Sequence, residues 1–144
     1  MVVLLVDDDP IVALAVACEL EAAGHMVLGP AYDESSALDM AAAGHPDMAL
    51  VDIDLGLGGD GVHLAWALMT AGVPAMFASG EGARAHANRG AVLGCLNKPY
   101  PPEAAVRSVE AAQALLQGRR ADCPAQLDWF GRAPAPVAGG VLTH

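Results

Sequence analysis

Hydrophobic and polar positions along the chain follow two alternating patterns. Short runs that are apolar throughout predict strands buried on both faces, as in a parallel sheet. Longer segments with apolar side chains three and four residues apart, several of them opened by Asp or Pro, predict helices. Strands are expected at residues 2–6, 25–31, 47–52, 75–79 and 92–97, and helices at 10–24, 33–44, 61–72, 80–89 and 101–118.

This regular alternation predicts an α/β fold with a doubly wound, five-stranded parallel sheet, right-handed crossovers and helices on both faces. The chain has 144 residues, which suits one domain, and we place it at residues 1–118. Residues 119–144 are rich in proline and glycine and are expected to form a tail without an output domain. Within that tail, the adjacent aromatic residues Trp129-Phe130 are expected to dock onto the same domain or onto a partner protein. Packing against the last helix of the same domain is the favoured alternative.

Charge and hydropathy exclude several classes of function. The net charge is -10, and the seven basic residues form no stripe, so nucleic acid is not expected as a partner. No apolar run reaches the roughly 18 residues of a membrane helix, and Met1 leads directly into a strand without a leader. We therefore expect a cytoplasmic protein, with its three cysteines as thiols and no histidine metal site.

Acidic and basic side chains stand at the ends of three predicted strands. Asp7 and Asp8 follow the first strand, Asp52 ends the third, and Lys98, the only lysine of the chain, follows the fifth. Ser79 ends the fourth strand. Because the carboxyl ends of parallel strands meet in one crevice, these side chains are expected to converge.

These residue types fit phosphoryl transfer. The carboxylate of Asp52 can act as a nucleophile and form an acyl phosphate. Asp7 and Asp8 would repel Asp52 unless a hard divalent cation lies among them, and Mg²⁺ prefers such oxygen ligands. Lys98 as a charged donor and Ser79 as a hydroxyl donor would then hold the phosphoryl oxygens. Asp9, which precedes Pro10, is expected to cap the first helix rather than bind the metal.

Four motifs together resemble the receiver domain of bacterial response regulators. In chain order they are Val6-Asp7-Asp8-Asp9-Pro10, Pro46-Asp47 with Val51-Asp52-Ile53, Phe77-Ala78-Ser79-Gly80 and Asn97-Lys98-Pro99. The resemblance covers residues 1–118 and implies a flavodoxin-like strand order 2-1-3-4-5. It also implies that Asp52 accepts a phosphoryl group from a phosphohistidine on a histidine kinase or phosphotransfer protein. A receiver is not a conventional enzyme, but it catalyses its own phosphorylation and dephosphorylation.

The resemblance also assigns finer roles. Asp54 would add its backbone carbonyl to the metal, and Asp54 and Glu81 would tune the hydrolysis of the acyl phosphate. Cys95 occupies a position where the family usually has an aromatic ring that switches, so the output must be transmitted differently. Gly56 stands where a proline is usual, in a loop one residue longer than usual. The motif ending in Ser79-Gly80 resembles a subclass of stand-alone receivers with Phe-Ala-Thr-Gly, which act with histidine kinases as phosphorelay or phosphate-sink proteins.

Two other interpretations stay open. Asp52-Ile53-Asp54 also resembles the Asp-x-Asp motif of haloacid-dehalogenase-type phosphatases, although the other acids here precede Asp52 instead of following Lys98. The chain could also be a receiver-like scaffold that binds a protein without phosphorylation, through Trp129-Phe130 or the surface near Cys95. The acidic surface favours a partner protein with some positive charge, and a homodimer is compatible with the sequence.

Overall fold

The computed structural model describes residues 1–131, which form one six-stranded sheet flanked by five helices. The strands are β1 (Val2–Val6), β2 (Met26–Ala31), β3 (Met48–Asp52), β4 (Ala75–Ser79), β5 (Gly94–Asn97) and β6 (Leu127–Trp129). The helices are α1 (Pro10–Ala22), α2 (Glu34–Gly44), α3 (Gly61–Thr70), α4 (Gly82–Ala87) and α5 (Pro102–Leu116). Within residues 1–131, no helix is long and apolar enough to cross a membrane.

The sheet has the order β2-β1-β3-β4-β5-β6, and its first five strands are parallel. The predicted α/β class and the order 2-1-3-4-5 are therefore confirmed. Side chains of the central strands alternate between two apolar cores, so that Leu4 and Val6 face α2, α3 and α4, whereas Val3 and Leu5 face α1 and α5. This two-sided burial is the reason that these strands are apolar throughout.

Helix boundaries agree with the sequence pattern except at the fourth helix. Asp9 caps α1, since its side chain accepts hydrogen bonds from the amides of Ile11 and Val12, as predicted. The fourth helix, expected at 80–89, is only Gly82–Ala87 and is followed by a short 3₁₀ helix, Arg89–Ala91. Its weak apolar pattern supports only one and a half turns, because Ala85 is its single buried residue.

The sixth strand was not predicted from the sequence. It lies in the segment expected to be a tail and pairs antiparallel with β5, with Leu127 opposite Leu96 and Trp129 opposite Gly94. A Cβ atom at Gly94 would lie 2.5 Å from the carbonyl oxygen of Asp128, so glycine allows this close approach. The domain boundary at residue 118 stays a prediction, and Ala133 to Gly140 lie outside the described residues.

Trp129 and Phe130 pack onto their own domain, on opposite faces of the sheet. Trp129 contacts the core beneath α1 and α5, which agrees with the expected tuck onto the last helix. Phe130 instead contacts the core on the other face and lies edge-on to the ring of His86 in α4, with a centroid distance of 4.8 Å. The two rings therefore hold β6 on both faces of the sheet.

Candidate functional site

The acidic side chains lie together where β1 and β3 end. Asp7 and Asp52 are buried, whereas Asp8 is exposed. Each buried carboxylate is held by its own loop: Asp7 Oδ1 accepts a hydrogen bond from the Asp9 amide at 2.9 Å, and Asp52 Oδ1 accepts one from the Asp54 amide at 3.2 Å. Each of these two carboxylates is therefore oriented by a backbone amide only two residues further along the chain.

These three acids fit a hard divalent cation. Asp7, Asp8 and Asp52 each offer a carboxylate oxygen, and these oxygens lie within 4.8 Å of one another. Burial raises the pKa of Asp52 to about 6, and the neighbouring charge of Asp7 adds to the rise although Lys98 opposes it. A site that destabilises its own negative charge and presents only oxygen ligands is suited to Mg²⁺. The fold thus brings together the three predicted carboxylate ligands.

Lys98 reaches this acidic cluster from the end of β5. Its ammonium nitrogen lies 3.1 Å from Asp52 Oδ2 and 3.6 Å from Asp7 Oδ2. Burial disfavours the charged ammonium, but the carboxylates of Asp52 and Asp7 outweigh burial and raise the pKa of Lys98. Burial, together with the same two acids, also raises the pKa of Tyr100, so its phenol stays neutral. Lys98 therefore stays protonated and places a positive charge beside the candidate nucleophile.

Ser79 ends β4, the strand that lies between β3, which carries Asp52, and β5, which precedes Lys98. In the sheet register, Asp52 is opposite Ala78 and Ser79 is opposite Asn97, so Ser79 stands one residue beyond the level of Asp52. Ser79 is buried, and its Oγ accepts a hydrogen bond from the Glu81 amide at 2.8 Å. Because that bond uses the oxygen as an acceptor, the hydroxyl proton remains available for a phosphoryl oxygen.

The two residues expected to tune hydrolysis lie at the mouth of the site. Asp54 is exposed, and its side chain accepts a hydrogen bond from the Gly56 amide at 2.9 Å. Glu81 precedes α4 and lies 3.9 Å from the guanidinium of Arg84. Their roles in hydrolysis, and that of the Asp54 carbonyl as a metal ligand, stay predictions.

The loop after Asp52 is closed by a backbone bridge between Asp54 and Asp60. It contains a 3₁₀ turn, Gly56–Gly58, and Gly56 has a positive φ of 57°, a conformation that a proline could not adopt. The loop therefore forms a turn that favours glycine at position 56 and that a proline there would not allow. Across the mouth, Arg84 of α4 contacts Asp60 at 2.6 Å.

Cys95 is fully buried on the α4 side of β5. Burial raises the pKa of its thiol to about 11, with a further contribution from Asp128, which is its partner on β6. The thiol therefore stays protonated and behaves as a small apolar side chain. The aromatic ring that contacts α4 at this edge is Phe130, from β6.

Two residues that bear on the site, Asn97 and Asp128, were not predicted from the sequence. In the sequence Asn97 is only part of the motif with Lys98, and Asp128 lies in the predicted tail. In the structure the side-chain amide of Asn97 donates hydrogen bonds to the Gln126 carbonyl at 2.9 Å and to Asp128 Oδ2 at 3.0 Å. The sequence offered no signal for this pairing, because 29 and 31 residues separate the partners.

Comparison with known proteins agrees with this geometry. The family model of the response regulator receiver domain matches residues 3–110. The receiver domain of a modulated diguanylate cyclase from Desulfovibrio desulfuricans G20 is 32% identical over 76% of this chain and 90% of that chain, with a TM-score of 0.65. The N-terminal domain of a response regulator/sensory box/GGDEF three-domain protein from Carboxydothermus hydrogenoformans is 29% identical over 81% and 97%, with a TM-score of 0.71.

The receiver domain of NtrX from Brucella abortus is 25% identical over 76% of this chain and 96% of that chain, with a TM-score of 0.70. No curated protein matches the chain significantly. The family match spans well over half of the chain and includes all the strand ends that carry the acids and Lys98. The chain therefore belongs to the response regulator receiver domain family.

Proposed function

We propose that this protein accepts a phosphoryl group on Asp52 from a phosphohistidine, as a component of a two-component system or phosphorelay. The observation that carries the proposal is the contact of Lys98 with two buried carboxylates, 3.1 Å from Asp52 and 3.6 Å from Asp7. A nucleophilic acid, a fixed cation and a set of oxygen ligands at one sheet edge are the parts that phosphoryl transfer to a carboxylate needs.

The proposed transfer converts a phosphorus–nitrogen bond into a phosphorus–oxygen bond. A carboxylate oxygen of Asp52 forms the new bond while the bond to the donor imidazole breaks, and the imidazole leaves as a neutral ring when its other nitrogen carries a proton. Lys98 and Ser79 donate to the phosphoryl oxygens, where negative charge is held during transfer. Asp7 and Asp52 are pre-oriented by the loop amides, so little reorganisation is needed.

Mg²⁺ is the proposed cofactor, held by Asp7, Asp8 and Asp52, with the Asp54 carbonyl as a further ligand. When bound, the ion would offset the repulsion among the acids and neutralise charge on the phosphoryl group. The donor set supports this assignment, because three carboxylates in one cluster are costly without a cation. The proposed partners are a histidine kinase or a histidine phosphotransfer protein. We further propose that the protein acts with these partners in the cytoplasm.

Intact mass spectrometry tests the proposal. The purified protein is incubated with acetyl phosphate, and in parallel with a phosphorylated phosphotransfer protein, each with and without Mg²⁺. We expect a gain of one phosphoryl group that requires Mg²⁺ and is absent in Asp52→Asn. Asp39→Asn, which removes an exposed acid from α2, is the matched control and should label as the wild type does.

Three outcomes would overturn the assignment. Stoichiometric labelling of Asp52→Asn would place the acceptor elsewhere. Absence of labelling from both donors, in a folded wild-type protein with Mg²⁺, would leave a scaffold that binds its partner without phosphorylation. Turnover of a simple phosphomonoester with Mg²⁺ would instead indicate a phosphatase of the haloacid dehalogenase type.

A further inference from the structure

Asn97 is the residue that joins the sixth strand to the candidate site. Its backbone amide donates a hydrogen bond to the Gln126 carbonyl at 2.9 Å. Its side-chain amide donates to the same carbonyl at 2.9 Å and to Asp128 Oδ2 at 3.0 Å. Asparagine has two side-chain N–H groups, and here each of them has an acceptor on the segment that contains β6.

The peptide between Asn97 and Lys98 is therefore held from both sides. On one side Asn97 bonds to the β6 segment, and on the other the Lys98 amide donates a hydrogen bond to the Ser79 carbonyl of β4 at 3.0 Å. Without β6, β5 would be the edge of the sheet, and Asn97 would have no strand on its outer side. The backbone origin of the lysine side chain thus depends on a strand that lies far away in sequence.

We propose that Asn97 and Asp128 are positioning residues for Lys98, so that β6 is a working part of the phosphorylation site. The inference rests on the proposed function of Asp52 and extends it to a segment outside the residues matched by the family model. The lysine side chain is flexible, and its ammonium reaches the carboxylates only from a fixed backbone position. A displacement of about 1 Å at a transferring group can lower a rate by about 10²-fold, so a clamp on this backbone affects the chemistry.

Charge and hydrogen bonding make opposite predictions for Asp128, which permits a sharp test. Asp128 is exposed, and removing its negative charge from an acidic protein should by itself favour an anionic donor such as acetyl phosphate. Under the proposal, loss of its acceptor oxygen loosens Asn97 and slows phosphorylation. A slower reaction in Asp128→Ala is therefore the result that charge alone does not produce.

The experiment measures the initial rate of phosphorylation by acetyl phosphate at saturating Mg²⁺. We expect Asp128→Ala to lower the maximal rate about 3- to 10-fold, and Asn97→Ala to lower it at least as much, with the half-saturating acetyl phosphate concentration nearly unchanged. Asp128→Asn keeps an acceptor oxygen without the charge and should react at least as fast as the wild type. Asp122→Ala removes an exposed carboxylate from the same segment and is the charge-matched control.

His86→Phe separates the two contacts of Asp128. The His86 Nε2 atom lies 3.6 Å from Asp128 Oδ2, so Asp128→Ala also removes a contact to α4. His86→Phe removes that nitrogen but keeps an aromatic ring against Phe130. If the effect passes through Asn97, then His86→Phe should be phosphorylated within about twofold of the wild-type rate. A drop in His86→Phe equal to that in Asp128→Ala would overturn the positioning role and assign the effect to α4.

A second measurement does not depend on phosphorylation. Lys98 is the only lysine, so protein labelled with ¹³C-lysine gives a single Cε cross-peak in an NMR spectrum. We expect this peak to shift and broaden in Asp128→Ala and Asn97→Ala, and to stay in place in Asp128→Asn and Asp122→Ala. An unmoved peak in the first two variants, or equal rates in Asp128→Ala and Asp122→Ala, would overturn the proposal. If wild type does not label at all, the peak still tests the clamp, so the two failures are distinguishable.

Discussion

The two halves of the site are held in place in different ways. In the acidic half, Asp7 and Asp52 accept hydrogen bonds from amides two residues further along the chain. In the basic half, Lys98 is positioned through Asn97, whose partners Gln126 and Asp128 belong to the segment of the sixth strand. One half is built by local sequence, and the other depends on a contact that closes a loop of about thirty residues.

This difference has a consequence for function. Local contacts persist as long as β1 and β3 are formed, and both strands lie in the middle of the sheet with buried side chains on both faces. The sixth strand has only three residues and lies at the edge, where opening requires little free energy. The acidic half should therefore be rigid under most conditions, whereas the position of Lys98 should respond to whatever binds or releases β6.

Removal of Lys98 is expected to have the largest effect on phosphorylation while leaving the acidic half of the site intact. We expect Lys98→Met to lower the rate of acyl phosphate formation by about 10²- to 10³-fold, because one charged donor to the transferring group is lost. Mg²⁺ binding should persist, since the amides of Asp9 and Asp54 still hold Asp7 and Asp52. The rate is followed by intact mass, and Mg²⁺ binding by the shift in thermal unfolding temperature.

Arg84→Met is the matched control for that experiment. Arg84 is a cation at the mouth of the site, and its ion-pair partners within residues 1–131 are Asp60 and Glu81. Its replacement should change the rate by no more than about threefold, as expected for exposed ion pairs. Loss of the Mg²⁺-dependent stabilisation in Lys98→Met would show that the two halves depend on each other.

Neutralisation of Asp52 tests the electrostatics of the acidic half of the site. Burial raises the pKa of Asp52 to about 6. A carboxyl whose pKa is higher in the folded state stabilises the protein in its protonated form, so this contribution is lost as the pH rises through about 6. At pH 7 without metal, Asp52→Asn should therefore increase the free energy of unfolding by about 1 to 3 kcal/mol.

Denaturant unfolding at several pH values measures this effect. The difference between Asp52→Asn and wild type should vanish below about pH 3, where the Asp52 carboxyl is neutral in both the folded and the unfolded state. Mg²⁺ should reduce the difference at pH 7, because it binds the folded wild-type carboxylates. Equal stabilities at pH 7 in the absence of metal would mean that the acidic half does not carry the electrostatic cost inferred from its burial.

The same contrast explains how much could be predicted from the sequence. The strands and the convergence of Asp7, Asp52 and Lys98 follow from buried apolar runs and from the geometry of parallel sheets. The order 2-1-3-4-5 followed instead from the resemblance to receiver domains. The sixth strand could not be predicted in the same way, because three residues between proline- and glycine-containing segments give almost no periodic signal. Its stability comes from tertiary contacts of Trp129 and Phe130, which a local pattern does not contain.

Displacement of β6 gives the smallest expected effect and tests the non-local half alone. Gly94→Ala places a Cβ atom 2.5 Å from the Asp128 carbonyl oxygen, so the edge strand must move away while the charges of the site stay unchanged. We expect phosphorylation about 2- to 5-fold slower than in wild type. Hydrogen exchange should be faster at the amides of Asn97 and Phe130, which donate across this edge to Gln126 and Leu93.

A double-mutant cycle decides whether Gly94 and Asp128 act through the same contact. If both variants loosen Asn97, the double variant Gly94→Ala/Asp128→Ala should be little slower than Asp128→Ala alone, because the clamp can be lost only once. Rates that multiply would show two independent effects, and β6 would then be a structural cover for the sheet edge. Non-multiplying rates together with faster exchange at Asn97 would assign the position of Lys98 to the strand that closes the sheet.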